Sequence, residues 1–374
     1  MKIGYDGKRA VRNLTGLGNY SRLVIESMAR SYADHSHVIY TPDMRENPRL
    51  DGIRELPNVQ FKLPQGGSHG ALWRTWGITG DARRDGIDIF HGLSNELPLN
   101  FRKSGVKSVV TIHDLIYRRM PECYTLIDRT LYDFKYRRSC HVADRIIAIS
   151  ESTRRDIVEL YGISEEKIDI VYQGCSDIFR RQFSVEELAA VSHKYSLPER
   201  YLLQVGTIER RKNLELTIRA LSALPDDIHL VAVGNGKEYK TQMQRLSREL
   251  GVEQRVHYLG NVAFVDLPGV CQGAEVILYP SRYEGFGIPV LEGLESRRPV
   301  IAARTSSLPE AGGDAAIYVG PDDVRGTVEA INSILNGAVN VNVLIAKGLK
   351  HAARFNNGDM AQRIMAVYDK TLKL

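Results

Sequence analysis

VILYPSRYEGFGIPVLEG, residues 276–293, is the stretch on which the reading of this chain turns. Val276 to Pro280 has the length and apolar, β-branched character of a buried strand. Gly285 and Gly287 mark a turn, and Ile288 or Pro289 then opens a helix. That helix presents free backbone N–H groups and the positive end of its dipole to whatever lies over the turn, which makes an anion site. Glu284 stands at the mouth before the helix and Glu292 about one turn inside it, so two carboxylates would grip the hydroxyls of a polyol on either side of a bound phosphate. The plain alternative is a glycine-rich turn with solvated glutamates; the whole string speaks against it.

Outward from this stretch, short β-branched runs alternate with longer amphipathic ones along most of the chain. That is the pattern of strands joined by crossover helices into parallel sheets, so the fold class is α/β. In the first half the strands are KIGYDG, HVIYTP, DIFHG, SVVTIHD, DRIIAIS and DIVYQG, with helices near 18–31, 126–141 and 150–161. A second series runs YLLQVG, IHLVAVG, VHYLG, VILYP and PVIAA, with helices near 213–223, 239–251 and 288–296. The charged segment from Cys175 to Arg200, with one short helix, reads as the linker between two doubly wound, Rossmann-like domains, 1–178 and 179–355. A length of 374 residues agrees with two domains. Two such sheets would place their strand carboxyl ends at one cleft, where open α/β sheets bind ligands. The final segment, Asp359 to Leu374, has an apolar face at Met360, Ile364, Val367 and Tyr368 that something must cover.

Charged residues at 25% and hydrophobic ones at 43% exclude a disordered, collagenous or coiled-coil chain. The net charge of +5 suits anionic partners without identifying one. Cys123, Cys140, Cys175 and Cys271 form no CxxC pair and have no histidine at ligand spacing, so neither a zinc site nor a disulfide framework is indicated. Asp6, Lys8 and Arg9 fall where the apolar core of a signal peptide would lie, and no run reaches the roughly 18 apolar residues of a spanning helix. A cytoplasmic protein, at most peripheral to a membrane, is expected. No recognition helix or stacking motif accompanies the scattered basic residues, so no nucleic acid partner is expected.

Three further motifs sit at strand ends. VGTIERRKN, from Val205 to Asn213, brings Thr207, Arg211 and Lys212 toward a diphosphate, the arginine as a planar fork and the lysine as a point charge. RNLTGLGNY, from Arg12 to Tyr20, offers Gly16 and Gly18 for close backbone approach to a phosphate. It is no dinucleotide fingerprint, because Ser21 stands where the third glycine of G-x-G-x-x-G belongs. In VVTIHDL, His113 should point from a strand end, where an imidazole can donate to a sugar hydroxyl or to developing charge, with Asp114 placed to orient it. His91, in DIFHGLSN, reads as structural or supporting.

With these motifs in order, nearly the whole chain resembles the retaining glycosyltransferases of the GT-B fold, specifically family 4 with its many bacterial mannosyltransferases. EGFGIPVLE, from Glu284 to Glu292, matches the family's glutamate, seven residues, glutamate, and DRIIAISESTRRDI with VYQG adds to the match. The resemblance implies that Glu292 holds the ribose hydroxyls and that Lys212, helped by Arg211, neutralises the leaving diphosphate. Glu284 would bind the donor hexose, the backbone from Gly285 through Phe286 and Gly287 to Ile288 would meet phosphate or sugar, His113 would face the reacting carbon, and Gly16 would close over the diphosphate. Thr207 departs from the family, which often has arginine there.

The resemblance further implies an amino-terminal acceptor-side domain, a carboxy-terminal domain for the nucleotide sugar, and a last helix, 356–374, crossing back to the first. It implies retention of anomeric configuration with no cofactor and no divalent metal, in keeping with the absence of a DxD string. GDP-mannose is the preferred donor, with UDP-glucose, UDP-galactose and UDP-N-acetylglucosamine as alternatives. The acceptor would be a saccharide or lipid-linked saccharide of surface polysaccharide or lipopolysaccharide assembly. Between Ile116 and Arg145, basic residues such as Arg118, Arg129 and Arg137 alternate with Leu126, Ile127, Leu131 and Phe134, a composition suited to an anionic membrane surface on the cytoplasmic leaflet. Competing classes are a sugar-nucleotide 2-epimerase, which would turn over without an acceptor, and a non-catalytic nucleotide-sugar-binding protein.

Overall fold

The computed structural model describes residues 1–64 and 70–374. The chain divides into two units, Met1–Gln173 with Asn356–Leu374, and Gly174–Phe355. Each is built on one parallel sheet.

The first sheet has strands β1 (Lys2–Asp6), β2 (Ser36–Tyr40), β3 (Val59–Lys62), β4 (Ile89–Gly92), β5 (Lys107–Ile112), β6 (Arg145–Ala148) and β7 (Ile168–Ile170), in the order β3-β2-β1-β4-β5-β6-β7. The second has β8 (Tyr201–Val205), β9 (His229–Val233), β10 (Val256–Leu259), β11 (Val276–Tyr279), β12 (Val300–Ala303) and β13 (Ile317–Val319), in the order β10-β9-β8-β11-β12-β13. In both, the order reverses beside the first strand, so the strand ends flanking β1/β4 and β8/β11 are the topological switch points.

Central strands are continuous apolar runs because helices cover both faces. Phe90, Val110, Ile112 and Ile146 are fully buried in the first unit, and Leu202, Leu230, Val276 and Ile331 in the second. The closing helix Asn357–Leu372 begins behind an Asn356 side chain that accepts from the Asp359 N–H, and it buries Met360, Ile364, Val367 and Tyr368. It packs against the helix Gly16–Ser31 and against β5.

Two features differ from the sequence reading. Strands β3 and β13 went unread; both are short, lie at sheet edges and leave most of their residues only half-buried, so neither shows an apolar run. The segment read as a linker belongs to the second unit, whose boundary lies at Gln173/Gly174 and not at 178/179. Phe179 is fully buried, and the helix Val185–Tyr195 starts in a reciprocal Ser184–Glu187 capping box. It packs closely on the helix Leu267–Gly273, where a Cβ at Gly269 would lie 3.0 Å from Val191 Cγ2 and 3.1 Å from the Phe183 ring. No helix among the described residues is long and apolar enough to cross a membrane.

Candidate functional site

Because β8 and β11 are parallel neighbours, the chain leaving each strand arrives at the same edge of the second unit. Gly206, at φ 142°, turns the chain after β8. The following turn Arg210–Lys212 ends at Asn213, whose left-handed backbone (φ 58°) aims its amide at the other motif. Asn213 Nδ2 donates to Pro280 O at 3.1 Å and to Pro321 O at 2.7 Å. Arg282 N–H donates to Arg211 O at 2.8 Å. Gln204 Nε2 donates to Lys212 O at 2.8 Å from within β8.

These ties bring Arg211, Lys212 and Glu284 into one cluster. Lys212 Nζ donates to Glu284 Oε1 at 2.6 Å and to the Tyr279 hydroxyl at 2.5 Å. That hydroxyl in turn donates to Glu284 Oε1 at 3.1 Å. Arg211 Nη1 lies 2.8 Å from Glu284 Oε2, and its Nη2 donates to Glu209 Oε1 at 2.6 Å. Only 14% of each basic side chain and 10% of Glu284 remain exposed. Burial acts to raise the Glu284 pKa, but Lys212 and Arg211 outweigh it and hold the carboxyl at about 2. Burial likewise pushes Lys212 below the usual ammonium range, in spite of the Glu284 charge beside it.

The helix Ile288–Glu295 follows with Gly287 as its N-cap at φ 123°. A side chain at Gly287 would come within 2.8 Å of Leu308 Cδ2, and its positive φ disfavours any L-residue, so only glycine fits. Two serines after β12 hold the turn. Ser306 Oγ accepts from Glu284 N–H at 2.9 Å, and the buried Ser307 hydroxyl lies 2.9 Å from Glu284 O and 2.7 Å from Phe286 O. The Phe286 ring is buried edge-on to Phe355, with centroids 5.4 Å apart, so only its backbone is left for a ligand. Gly285 and Ile288 flank it on the partly exposed rim, and Thr207 is exposed.

Glu292 differs from Glu284. Its half-buried carboxylate makes no hydrogen bond or ion pair with the described residues, and burial raises its pKa to about 7 against the lowering influence of Lys212. It is an open acceptor one turn into the helix.

Two residues named from the sequence belong to the first unit. His113 follows β5 and is 5% exposed. Its Nε2–H donates to Leu93 O at 2.9 Å, its backbone N–H donates to Asn95 Oδ1 at 2.7 Å, and Tyr20 packs edge-on to the ring at 4.6 Å. Burial lowers its pKa to about 4, so the imidazole is neutral with its N–H already engaged. Contrary to the sequence expectation of a donor, His113 offers Nδ1 as an acceptor. Asp114 Oδ1 accepts from Ile116 N–H at 3.1 Å. Gly16 opens the helix Gly16–Ser31 behind Thr15, with open space where a Cβ would project. The glycine that needs its small size is Gly18, where a Cβ would lie 1.8 Å from Asn13 O.

His91 is fully buried in a neutral chain of hydrogen bonds. Its Nδ1 lies 2.7 Å from the Tyr368 hydroxyl and its Nε2 2.8 Å from Thr111 Oγ1, which is 3.1 Å from the Tyr20 hydroxyl. Tyr279, Ser306 and Ser307 also belong to this site, and sequence pattern alone does not single them out. Tyr279 reads as one more strand residue, while the serines sit in ARTSSLPE, whose small polar pair before a proline was the only signal.

Comparison with known proteins agrees with this layout. Residues 187–351 match the family described as Glycosyl transferases group 1, and residues 14–177 match Glycosyltransferase Family 4. The chain is 32% identical to O-antigen chain mannosyltransferase B of Escherichia coli, over 95% of its own length and 96% of the relative's. The chain belongs to glycosyltransferase family 4. It is also 26% identical to the serotype-specific mannosyltransferase WbdA of Escherichia coli, a match taking in 77% of this chain but 36% of that protein. Its fold is GT-B: a crystal structure of Anabaena HepE in complex with UDP and glucose superposes with a TM-score of 0.77 at 18% identity, covering 99% of this chain and all of the other. In this glycosyltransferase both family glutamates therefore sit at the switch point of the second sheet, one ion-paired and one open.

Proposed function

We propose that this glycosyltransferase moves mannose from GDP-mannose, with retention of configuration, to a saccharide or lipid-linked saccharide in O-antigen or related surface-polysaccharide assembly. It would work at the cytoplasmic face of the membrane. The observation that carries the reading is the open Glu292 carboxylate within the electrostatic reach of Lys212, which with Arg211 forms a pair of buried cations on Glu284. A carboxylate without a partner suits a pair of ribose hydroxyls, and two cations in a poorly solvated site suit a diphosphate. The names of the relatives, mannosyltransferases both, support mannose.

An incoming diphosphate competes with Glu284 for Lys212 and Arg211. As those contacts pass to phosphate oxygens, Glu284 is released to accept from hydroxyls of the hexose. In the transfer the bond from the anomeric carbon to the phosphate oxygen breaks, the acceptor oxygen bonds that carbon on the same face, and the acceptor proton passes to the departing phosphate oxygen. The residues at hand stabilise the charge on the leaving group through Lys212, Arg211 and the N–H groups at Gly287–Ile288, which is why no divalent metal and no cofactor is invoked. Within the acceptor-side domain, His113 offers Nδ1 and the helix start at Gly16 an open stretch of backbone to a ligand; in the other domain Thr207 stands exposed after β8.

The test is a thermal-shift panel of GDP, UDP, ADP and their sugar conjugates, since a ligand that binds the folded state raises Tm. A response confined to GDP and GDP-mannose is expected. A response to UDP compounds instead would overturn the donor assignment, and no response to any nucleotide would overturn the site. With GDP-mannose in hand, the anomeric configuration of the product tests retention, and undiminished turnover after chelation tests metal independence.

A further inference from the structure

Gly7 packs directly on β2, where a Cβ would overlap the Ile39 side chain, and the chain leaving β1 passes at once into the short helix Lys8–Arg12. Three cations, Lys8, Arg9 and Arg12, therefore follow the carboxyl end of β1. That strand borders β4 at the switch point of the first sheet, the edge at which an open α/β sheet takes its ligand. Arg12 is paired with Asp43 at 2.6 Å. Lys8 and Arg9 are half-buried, yet neither side chain has a hydrogen bond or ion pair among the described residues.

The two acids within electrostatic reach of Lys8, Glu96 and Asp6, are already engaged. Arg74 lies 2.6 Å from Asp6 Oδ2 and 2.9 Å from Glu96 Oε2, and Lys135 Nζ is 3.3 Å from the same Glu96 oxygen. The hollow that these four side chains help to line is about 20 Å³, enough for a water and too small for a sugar. Arg74 and Lys135 thus use up the carboxylates, and Lys8 and Arg9 are left over. Burial, Arg74 and Arg9 together push Lys8 below the usual ammonium range. Arg9 also reaches His113, where after burial it helps to lower the imidazole pKa. Half-buried cations without an acid raise the free energy of the ligand-free protein, and an anion seated between them would offset that cost.

We propose that Lys8 and Arg9 form a phosphate site of the acceptor-side domain, and that the acceptor saccharide carries a phosphate group held there within reach of His113. This deepens the reading of the first unit as the acceptor side, on which it rests, and narrows the acceptor to a phosphorylated saccharide. A phosphate monoester carries close to two negative charges near neutral pH and so matches both cations, whereas a carboxylate would answer only one. The guanidinium meets its oxygens as a planar fork and the ammonium as a point charge.

The experiment is thermal unfolding of the full chain with inorganic phosphate, with mannose 6-phosphate and with mannose, at constant ionic strength, each in the absence and in the presence of saturating GDP. Both phosphate compounds are expected to raise Tm and mannose is not, and the rise should persist on top of that caused by GDP. The variant Lys8→Met/Arg9→Met keeps the hydrocarbon stems and removes the charges. It should lose the rise, since each charge-assisted hydrogen bond removed is worth about tenfold in affinity, while its own ligand-free Tm stays at or above that of the wild type. Lys8→Arg should keep the rise. A wild type that does not respond to either phosphate compound, or a methionine variant that responds equally in the presence of GDP, overturns the proposal. So does a phosphate response that GDP abolishes, which would assign the two cations to the donor diphosphate, and so does a ligand-free methionine variant that unfolds well below the wild type, which would make them structural. Absence of any GDP response in the wild type would count against the donor site alone and leave the phosphate result obtained without GDP standing.

Discussion

Glu284 has two ionised side chains, Lys212 and Arg211, within ion-pair distance, whereas the chain Tyr20–Thr111–His91–Tyr368 in the first unit carries no formal charge. Both groups sit beside a switch point of a parallel sheet and both are buried. Burial pushes His91 to a pKa of about 3, so it is neutral and simply satisfies its neighbours. Around Glu284 the same burial is overridden by opposite charges, so the group stays ionised and waits for a better partner than it has. A neutral network holds elements in place; a charged one that exposes an open carboxylate nearby is poised to exchange ions with a ligand.

The sharpest way to break that comparison is to remove one charge from the second unit. Lys212→Met should lower turnover by roughly a hundred- to a thousandfold, as loss of a charge-stabilising donor does, and should abolish the GDP-induced rise in Tm. It should also destabilise the fold by about 3 kcal/mol, because Glu284 keeps its charge with one cation fewer. In Lys212→Met/Glu284→Gln the unfolding midpoint should largely recover while turnover does not. If stability and turnover recover together, the cluster is structural and the catalytic reading fails.

Glu292 gives the next largest effect and a sign that tests its open state. Its folded pKa of about 7 lies above the ordinary 4.5, so between these values the folded chain binds the proton more tightly than the unfolded one. The stability this adds is fully present below about pH 4.5 and is lost as pH rises through 7, by at most about 3 kcal/mol. Denaturation series should therefore show wild type losing stability relative to Glu292→Gln across that window. Hydroxyl groups of a ligand favour the carboxylate, so GDP binding near pH 7 should release a proton, measurable as a buffer-dependent binding enthalpy. A flat difference between the two proteins would mean that Glu292 has a partner after all.

Much of this was readable from local pattern. Lys212, Arg211, Glu284 and Glu292 lie next to apolar runs, and an apolar run followed by glycine or charge is legible without any tertiary knowledge. Their mutual pairing was not legible, because it depends on β8 lying beside β11, strands separated in the chain by three crossover connections. The same holds for His113, whose donor is consumed by Leu93 O from the preceding strand connection, and for the helix Val185–Tyr195, whose charged composition suggested a linker until its contact with Leu267–Gly273 was seen. Phe286 looked like part of a ligand-facing turn, yet apolar packing on Phe355 claims its ring.

On the neutral side, Tyr368→Phe removes one hydroxyl from a chain that ties the closing helix to β4. His91 Nδ1 would be left without its partner at 2.7 Å, which costs about 1–2 kcal/mol for a buried polar group. Thermal unfolding should drop by a few degrees while the Michaelis constant for the donor stays unchanged, the reverse of the expectation for Lys212. A donor constant that moves with Tyr368 would show that the neutral chain reaches the chemistry.

The smallest effect on stability, and the finest cut between holding and binding, comes from Gly16→Ala. A methyl there meets nothing within 4 Å, and alanine suits the first turn of a helix at least as well as glycine, so stability should change by no more than about 0.5 kcal/mol, in the favourable direction. If the backbone at Gly16 closes over a diphosphate, however, the added methyl stands between them. The Michaelis constant for the nucleotide sugar should then rise several-fold with Tm unchanged. An unchanged donor constant would remove Gly16 from the site and leave Gly18, held against Asn13 O, as a glycine required by packing alone.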